Sequence, residues 1–224
     1  MTLILGIDTA TSGCAAALVR DGICLAEGSA RMARGQSEAL MPMVDNVIRE
    51  AGIDLSEIDG IAVTRGPGAF TGLRIGLAAA RALALTLDIP CLGIGTFDAL
   101  AAQAIAKLAP GTIDALLIVI ESKRAELFAA VYDPDGAMVG KPMAVLPDDM
   151  PAMLGAWHRI AIAGDAAEKA EAILQTRFAI KLIAGVDVAD AKIVAGLAER
   201  HMGNPAAAPA SPLYLRAPDV TINS

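Results

Sequence analysis

The sequence predicts an α/β protein in which one βββαβαβα unit is used twice, and three observations carry that reading. Short apolar runs alternate with longer amphipathic stretches along the 224 residues, as they do where strands are covered by helices. Hydrophobic residues make up 55% of the chain but aromatic ones only 3%. Small aliphatic side chains on that scale suit helices packed close against a sheet buried on both faces. The third observation is a restart after Pro110-Gly111. "ILGID" at 4–8 is answered by "LIVIE" at 117–121, both ending in a carboxylate, and "LVRDG" at 18–22 by "VYDPDG" at 131–136. Such self-similarity marks an internal duplication.

The elements follow in order. Apolar runs at 3–8, 14–19 and 23–30, with a turn at Asp21-Gly22, read as a three-stranded meander. Leu40, Val44, Val47 and Ala51 recur at helical spacing over 36–51, and Gly52 stops that helix. A strand at 60–64, a glycine-rich loop, a helix to 87, a strand at 91–94 and a helix at 96–108 complete the first unit. The second unit has strands at 115–120, 125–132 and 137–145, with the turn Asp133-Pro134-Asp135-Gly136 between the last two. A helix at 148–157, a strand at 160–163, a helix at 165–176, a strand at 180–183 and a helix at 187–202 then follow. This divides the chain into residues 1–109, 110–202 and a Pro-rich tail at 203–224, whose "PLYLR" at 212–216 is expected to dock back on the body.

Composition excludes several function classes. Eighteen basic against 25 acidic residues give a net charge of −7. An acidic chain with few aromatics lacks both the electrostatic and the stacking terms of a free-standing nucleic-acid binder. Cys14, Cys24 and Cys91 are odd in number and without C-x-x-C spacing, which suits small buried hydrophobes in a reducing cytoplasm. His158 and His201 are far apart and have no ligand-spaced neighbours, so no metal site is expected. No basic leader precedes the first strand, and the apolar stretch at 75–87 is interrupted by Arg81, so neither a signal peptide nor a membrane span is expected.

Two stretches are candidates for chemistry. "TRGPGAFTGLRIG" at 64–76 follows an apolar strand and opens a helix, so its amides at the positive helix end could hold an anion. Its glycines do not have P-loop or dinucleotide spacing, and Gly66 and Gly68 equally suit unusual backbone angles while Gly72 and Gly76 suit close helix packing. Asp8, Thr9 and Thr11 end the first strand and could hold a metal-bound water and a phosphate, or could cap a tight turn. Arg65 and Arg74 flank the loop, as phosphate partners or as solvated edges. No serine has a nucleophile-elbow context, and Glu38 complements a helix dipole.

The helices offer a second kind of site. Leu73, Leu77, Ala80, Ala84 and Leu87 line one face of the helix that begins after Gly72, while Ile75, Ala79, Ala82, Leu83 and Thr86 fall largely opposite. A helix apolar nearly all round must be covered on several sides. Met41, Met43 and Ile48 likewise widen the stripe of the preceding helix. The candidate contact surface comprises Leu40, Met41, Met43, Val44 and Ile48 with Ile75, Ala78, Ala79, Ala82 and Leu83, unless the two helices only cover each other and the sheet.

Two βββαβαβα halves resemble the actin, hexokinase and Hsp70 superfamily. Within it, "ILGIDTATSGCAAALVRDG" at 4–22, "QSEALMPMVDNVI" at 36–48, "GPGAFTGLRIGLAAARALA" at 66–84 and "PLYLR" at 212–216 resemble, in that order, the TsaB (YeaZ) family. The chain departs from that pattern at Gln36-Ser37-Glu38, where His-Ser-Glu is common, and at Glu121-Ser122-Lys123-Arg124, where an Asp-Ala-Arg-Arg-like stretch is common. The resemblance implies a non-catalytic subunit of the bacterial machinery for threonylcarbamoyladenosine in tRNA. It implies pairing with the catalytic relative TsaD through the N-terminal helices, an associated ATPase TsaE, a homodimer when alone, tRNA contact only through the complex, and no cofactor. It also makes Asp8, Thr9, Thr11, Gly66 and Gly68 candidates for a vestigial nucleotide site. The rival expectation is an actin-like ATPase or small-molecule kinase acting through Asp8 and the 66–76 loop.

Overall fold

The computed structural model describes residues 2–204 and 207–216. Its first sheet comprises β1 (Leu3–Asp8), β2 (Gly13–Arg20), β3 (Ile23–Arg31), β4 (Gly60–Gly66) and β5 (Cys91–Gly95), in the order β3-β2-β1-β4-β5. The meander is antiparallel, and β4 and β5 add in parallel, with Leu5 opposite Leu18 on one side and Ile61 on the other. The second sheet repeats the arrangement with β6 (Ala115–Glu121), β7 (Leu127–Tyr132), β8 (Met138–Val145), β9 (Arg159–Ala163) and β10 (Ala179–Leu182), in the order β10-β9-β6-β7-β8. The duplicated unit of the actin, hexokinase and Hsp70 superfamily is therefore present.

Alternation along the strands sorts the side chains into layers. Leu3, Leu5 and Ile7 of β1 face outward onto α1 (Gln36–Ala51) and α2 (Phe70–Leu87), in a core with Leu40, Val44, Val47, Leu77 and Ala80. Ile4 faces the opposite way, into a core shared by both sheets. That shared core is filled by α3 (Thr96–Ile105), through Phe97, Leu100 and Ala104, and by α6 (Ala191–Glu199), through Val194, Ala195 and Ala198. Leu117, Val119 and Ile162 pack the outer face of the second sheet under α4 (Met150–Leu154) and α5 (Ala167–Leu174). The result is five layers, helices alternating with sheets. Although α6 follows the second sheet in sequence, it packs across β1 and β2, where Gly6 leaves room for the Ala191 carbonyl.

Several helices are shorter than their apolar pattern. The helix expected at 148–157 is a 3-10 turn at Pro147–Asp149 followed by α4, because prolines at 147 and 151 remove donors and Gly155 ends it with φ 54°. The helix expected from 187 begins at Ala191, where the Asp190 carboxylate accepts the Lys192 amide at 3.0 Å. The helix expected to reach 108 ends at Ile105, and its last residues close i to i−3 bonds, with the Leu108 amide 2.9 Å from the Ile105 carbonyl. By contrast α2 begins at Phe70, giving 18 residues with mean hydropathy 1.3, enough by length and composition to cross a bilayer. Its Leu73, Leu77, Ala80 and Ala84 stripe is buried on the first sheet, as in the core helix of a globular fold.

Beyond α6 the chain returns along the edge of the first sheet. The Gly93 amide donates to the Ala208 carbonyl at 2.9 Å, Pro209 bridges to Leu92, and the Leu213 amide donates to the Arg65 carbonyl at 2.7 Å. The segment thereby covers the outer edge of β5, which would otherwise present unpaired backbone groups. Since both sheets share one core, Leu100→Ala should remove about 3 kcal/mol of stability. Chemical denaturation followed by near- and far-UV circular dichroism should still show one coincident transition, because neither sheet keeps its inner face covered alone.

Candidate functional site

The strand-end turn after β1 is sealed. Asp8, Thr9 and Thr11 are all buried. One Asp8 carboxylate oxygen accepts the Thr64 hydroxyl at 2.6 Å and the Ala10 amide at 3.1 Å, and the other accepts the Thr11 hydroxyl at 3.4 Å. Burial pushes the Asp8 carboxyl up to about 6, against the pull of these donors and of the Ala189 amide. The Thr9 hydroxyl points away and donates to the Gly72 carbonyl at 2.7 Å. Thr64 was not singled out in the sequence, although a hydroxyl closing an apolar strand beside a strand-end carboxylate is a readable signal.

The glycine loop receives this turn. The Ala69 amide, at the start of α2, donates to the Ala10 carbonyl at 2.7 Å. A Cβ at Gly68 would strike the Ala10 carbonyl, one at Gly72 the Thr9 carbonyl, and one at Gly76 the Thr9 hydroxyl. The backbone that a phosphate would approach is thus approached by the protein's own chain. Gly66 has φ 116° and lies against the Leu213 carbonyl of the returning segment instead. Asp8, Thr9, Thr11 and Gly68 therefore come together, while Gly66 faces the tail. Arg65 and Arg74 diverge: Arg65 lines a hollow with Gly93 and Asp98, and Arg74 lies over the Phe70 ring at 3.8 Å.

A second polar cluster faces the first across the two halves. The Ser12 hydroxyl donates to Asp165 at 2.6 Å, and the other Asp165 oxygen accepts the Glu121 amide at 2.8 Å. Burial raises the Asp165 carboxyl. Glu121, the counterpart of Asp8 in the second unit, is held below its ordinary range: burial acts against this, and the Lys169 ammonium and Lys123 amide outweigh it. Sequence reading missed the Ser12–Asp165 bond because its partners are separated by 153 positions. Among the described residues no group of three or more His, Cys, Asp or Glu is placed to hold a metal ion.

The candidate contact residues divide into layers. Leu40 and Val44 belong to the protein's own core. Met43, Ile48, Ile75, Ala79 and Leu83 are half-buried and pack on that core, so α1 supplies cover for the second face of α2. Met41, Ala78 and Ala82 are exposed, and they share the outer surface with Leu85, which is 83% exposed and was not singled out.

Two outcomes follow from this geometry. Gly72→Ala should lower stability by roughly 1–3 kcal/mol, since its methyl group meets a backbone carbonyl that cannot swing aside. Gly196→Ala on α6, where a Cβ meets nothing, should be neutral or stabilising by up to about 1 kcal/mol; thermal unfolding of the pair reads the difference. For Asp8, the folded-state value near 6 exceeds the ordinary 3.8, so the native state binds the proton more tightly. Stability from this group is complete below the unfolded value and is lost as pH rises through about 6. Asp8→Asn keeps an acceptor for Ala10 and Thr64 and should gain on the order of 3 kcal/mol over wild type at pH 8 but little at pH 4, measured by urea denaturation.

Comparison with known proteins places the chain. The family model described as TsaD, tRNA N6-adenosine threonylcarbamoyltransferase, matches residues 30–149. The Escherichia coli K12 protein named tRNA threonylcarbamoyladenosine biosynthesis protein TsaB is 36% identical over 132 residues, 59% of this chain and 55% of its own length. An uncharacterized Mycobacterium tuberculosis H37Rv protein is 34% identical over 221 residues, 98% of this chain and 94% of its own. The crystal structure of YeaZ from Pseudomonas aeruginosa superposes with a TM-score of 0.80 at 27% identity, covering 96% of this chain and all of that one. With its duplicated actin-like fold and this set of relatives, the chain belongs to the TsaB (YeaZ) family.

Proposed function

We propose that this chain is a cytoplasmic, non-catalytic scaffold of the machinery that makes N6-threonylcarbamoyladenosine in tRNA. It takes part in that biosynthesis, as the name of its E. coli relative states for that protein. In this reading it binds the transferase TsaD through α1 and α2, works in a complex with TsaE, pairs with a second copy when TsaD is absent, and meets tRNA only through the complex.

One contrast carries the reading. The strand-end turn where an actin-like enzyme would work is filled by Ala10 and Thr9 of the chain itself, whereas the outer ridge of α2 is left open. Ala78 and Ala82 stand one helical turn apart on that ridge, with Leu85 beyond them. Small residues let a facing helix approach closely, and a large exposed aliphatic supplies the apolar contact. The division into 1–109, 110–202 and 203–224 serves this role, the first segment presenting the contact helices.

Ala82 is a better probe than the half-buried Ala79, because a charge at 79 would also disturb the chain's own core. Ala82→Glu and Leu85→Asp should leave circular dichroism and melting unchanged. Each should weaken association with TsaD at least tenfold, about 1.4 kcal/mol, with a parallel loss of threonylcarbamoyladenosine when TsaD, tRNA, threonylcarbamoyl-adenylate and metal are mixed with the variant. The wild-type chain without TsaD should form no product. Unchanged affinity and modification would place the contact elsewhere, and metal-dependent turnover by the chain alone, abolished by Asp8→Ala, would favour an actin-like ATPase.

A further inference from the structure

The register of β4 against β5 slips at the strand ends. Thr64 pairs with Ile94 and Gly66 with Gly95, so Arg65 is the extra residue of a bulge. A bulge re-aims the side chain it carries. Here the Arg65 stem lies over Gly93, where a Cβ would stand 2.8 Å from its Cδ. Its Nε is buried and has no hydrogen-bond partner among the described residues. A buried guanidinium donor left unpaired is costly and rare in a native fold.

Two positions along β5 the Asp98 carboxylate lies over Gly95 in the same way. Alternate residues of a strand share a face and stand about 7 Å apart. One face of β5 therefore carries a guanidinium and a carboxylate, and no ion pair joins Arg65 to Asp98 among the described residues. The Tyr132 hydroxyl donates to one Asp98 oxygen at 2.8 Å and fixes the carboxylate. Both charged side chains line a hollow of about 420 Å³ between β5, the end of α6 and the returning segment at 207–208. Leu92, Ile94 and Leu197 form its apolar wall, and His201 stands at its edge. The volume is that of a small-molecule site.

We infer that this hollow binds a free aliphatic α-amino acid as its zwitterion, the carboxylate on the Arg65 guanidinium, the ammonium on Asp98 and the side chain against Leu197. A guanidinium grips a carboxylate with parallel N–H bonds, and an ammonium donates to a carboxylate. Both charged groups of an amino acid are bonded to one carbon, so the molecule bridges Arg65 and Asp98 with a hydrogen bond at each end. A simple carboxylic acid would leave Asp98 unmatched, and a phosphate would be repelled by it. This site is separate from the sealed Asp8 turn. None of its residues belongs to α1 or α2, so it does not depend on TsaD binding.

Titration calorimetry of the full chain with L-leucine, L-leucinamide and N-acetyl-L-leucine tests it. L-leucine should bind saturably below about 1 mM, and at least tenfold more tightly than the amide, which lacks the carboxylate, or the N-acetyl derivative, which lacks the ammonium. Arg65→Gln and Asp98→Asn, each checked by circular dichroism and melting, should each weaken L-leucine at least tenfold, while Ala82→Glu should leave its affinity unchanged. Asp98→Asn keeps an acceptor for the Tyr132 hydroxyl, so the fold should tolerate it. The analogue comparison on the wild-type chain decides the matter even where a variant fails to fold. No saturable L-leucine binding would overturn the inference. So would equal affinity for L-leucine and either derivative, or binding that withstands both substitutions.

Discussion

The rest of the molecule depends on the interlock between the turn after β1 and the backbone of α2. Three glycines, at 68, 72 and 76, present no side chain toward that turn, and the carbonyls of Thr9 and Ala10 and the Thr9 hydroxyl lie where a Cβ would be. The Ala69 amide, otherwise an orphan donor at a helix start, is satisfied by Ala10. Asp8 is buried behind this contact and held by hydroxyls from Thr11 and Thr64. Close approach gives dispersion contact and backbone bonding together, and it fixes the pose of α2 on the sheet more tightly than an aliphatic interface alone would.

From that pose the distribution of surfaces follows. With Leu73, Leu77, Ala80 and Ala84 against the sheet and α1 alongside, Ala78, Ala82 and Leu85 are left facing outward. The same N-terminus sets Phe70 and Arg74 at the mouth of a groove shared with the second half. One helix thus contributes its inner face to the core and, along its outer face, first Phe70 and Arg74 to a recess and then Ala78, Ala82 and Leu85 to an apolar ridge. The strand-end space is taken by the chain's own backbone, while Ala78, Ala82 and Leu85 on the outer face of α2 are exposed.

The two halves are joined by shared apolar layers rather than by a hinge alone. α3 and α6 fill the space between the sheets, and α6 returns from the second half to pack on β1 and β2. Ser12 and Asp165 add a polar tie at the strand ends, and the Tyr132 hydroxyl donates to Asp98 at 2.8 Å across the β7–α3 contact. Most ion pairs among the described residues, such as Arg49 with Asp45, are solvent-exposed and contribute little. Apolar burial therefore carries the association of the halves, and the polar groups fix its register.

Sequence by itself determined the strands, the long helices and the duplication. Period-2 and period-3.6 apolar patterns are local, and β1, α1 and the restart at β6 stand where those patterns place them. The strand-end carboxylate and the glycine loop were legible as a pair of special backbone positions, because "IDTAT" and "GPGAFTG" are contiguous words. Tertiary structure alone decided what these words do. Whether a glycine faces a ligand or a neighbouring carbonyl depends on a chain segment some sixty positions away, as the Thr9–Gly72 bond shows with a separation of 63. It also decided that α6 covers the first sheet, that α1 shields Ala79, and that Arg124 and Tyr214 share a groove. Those contacts join residues remote in sequence, and a local pattern records which face of an element is apolar but not which partner will cover it.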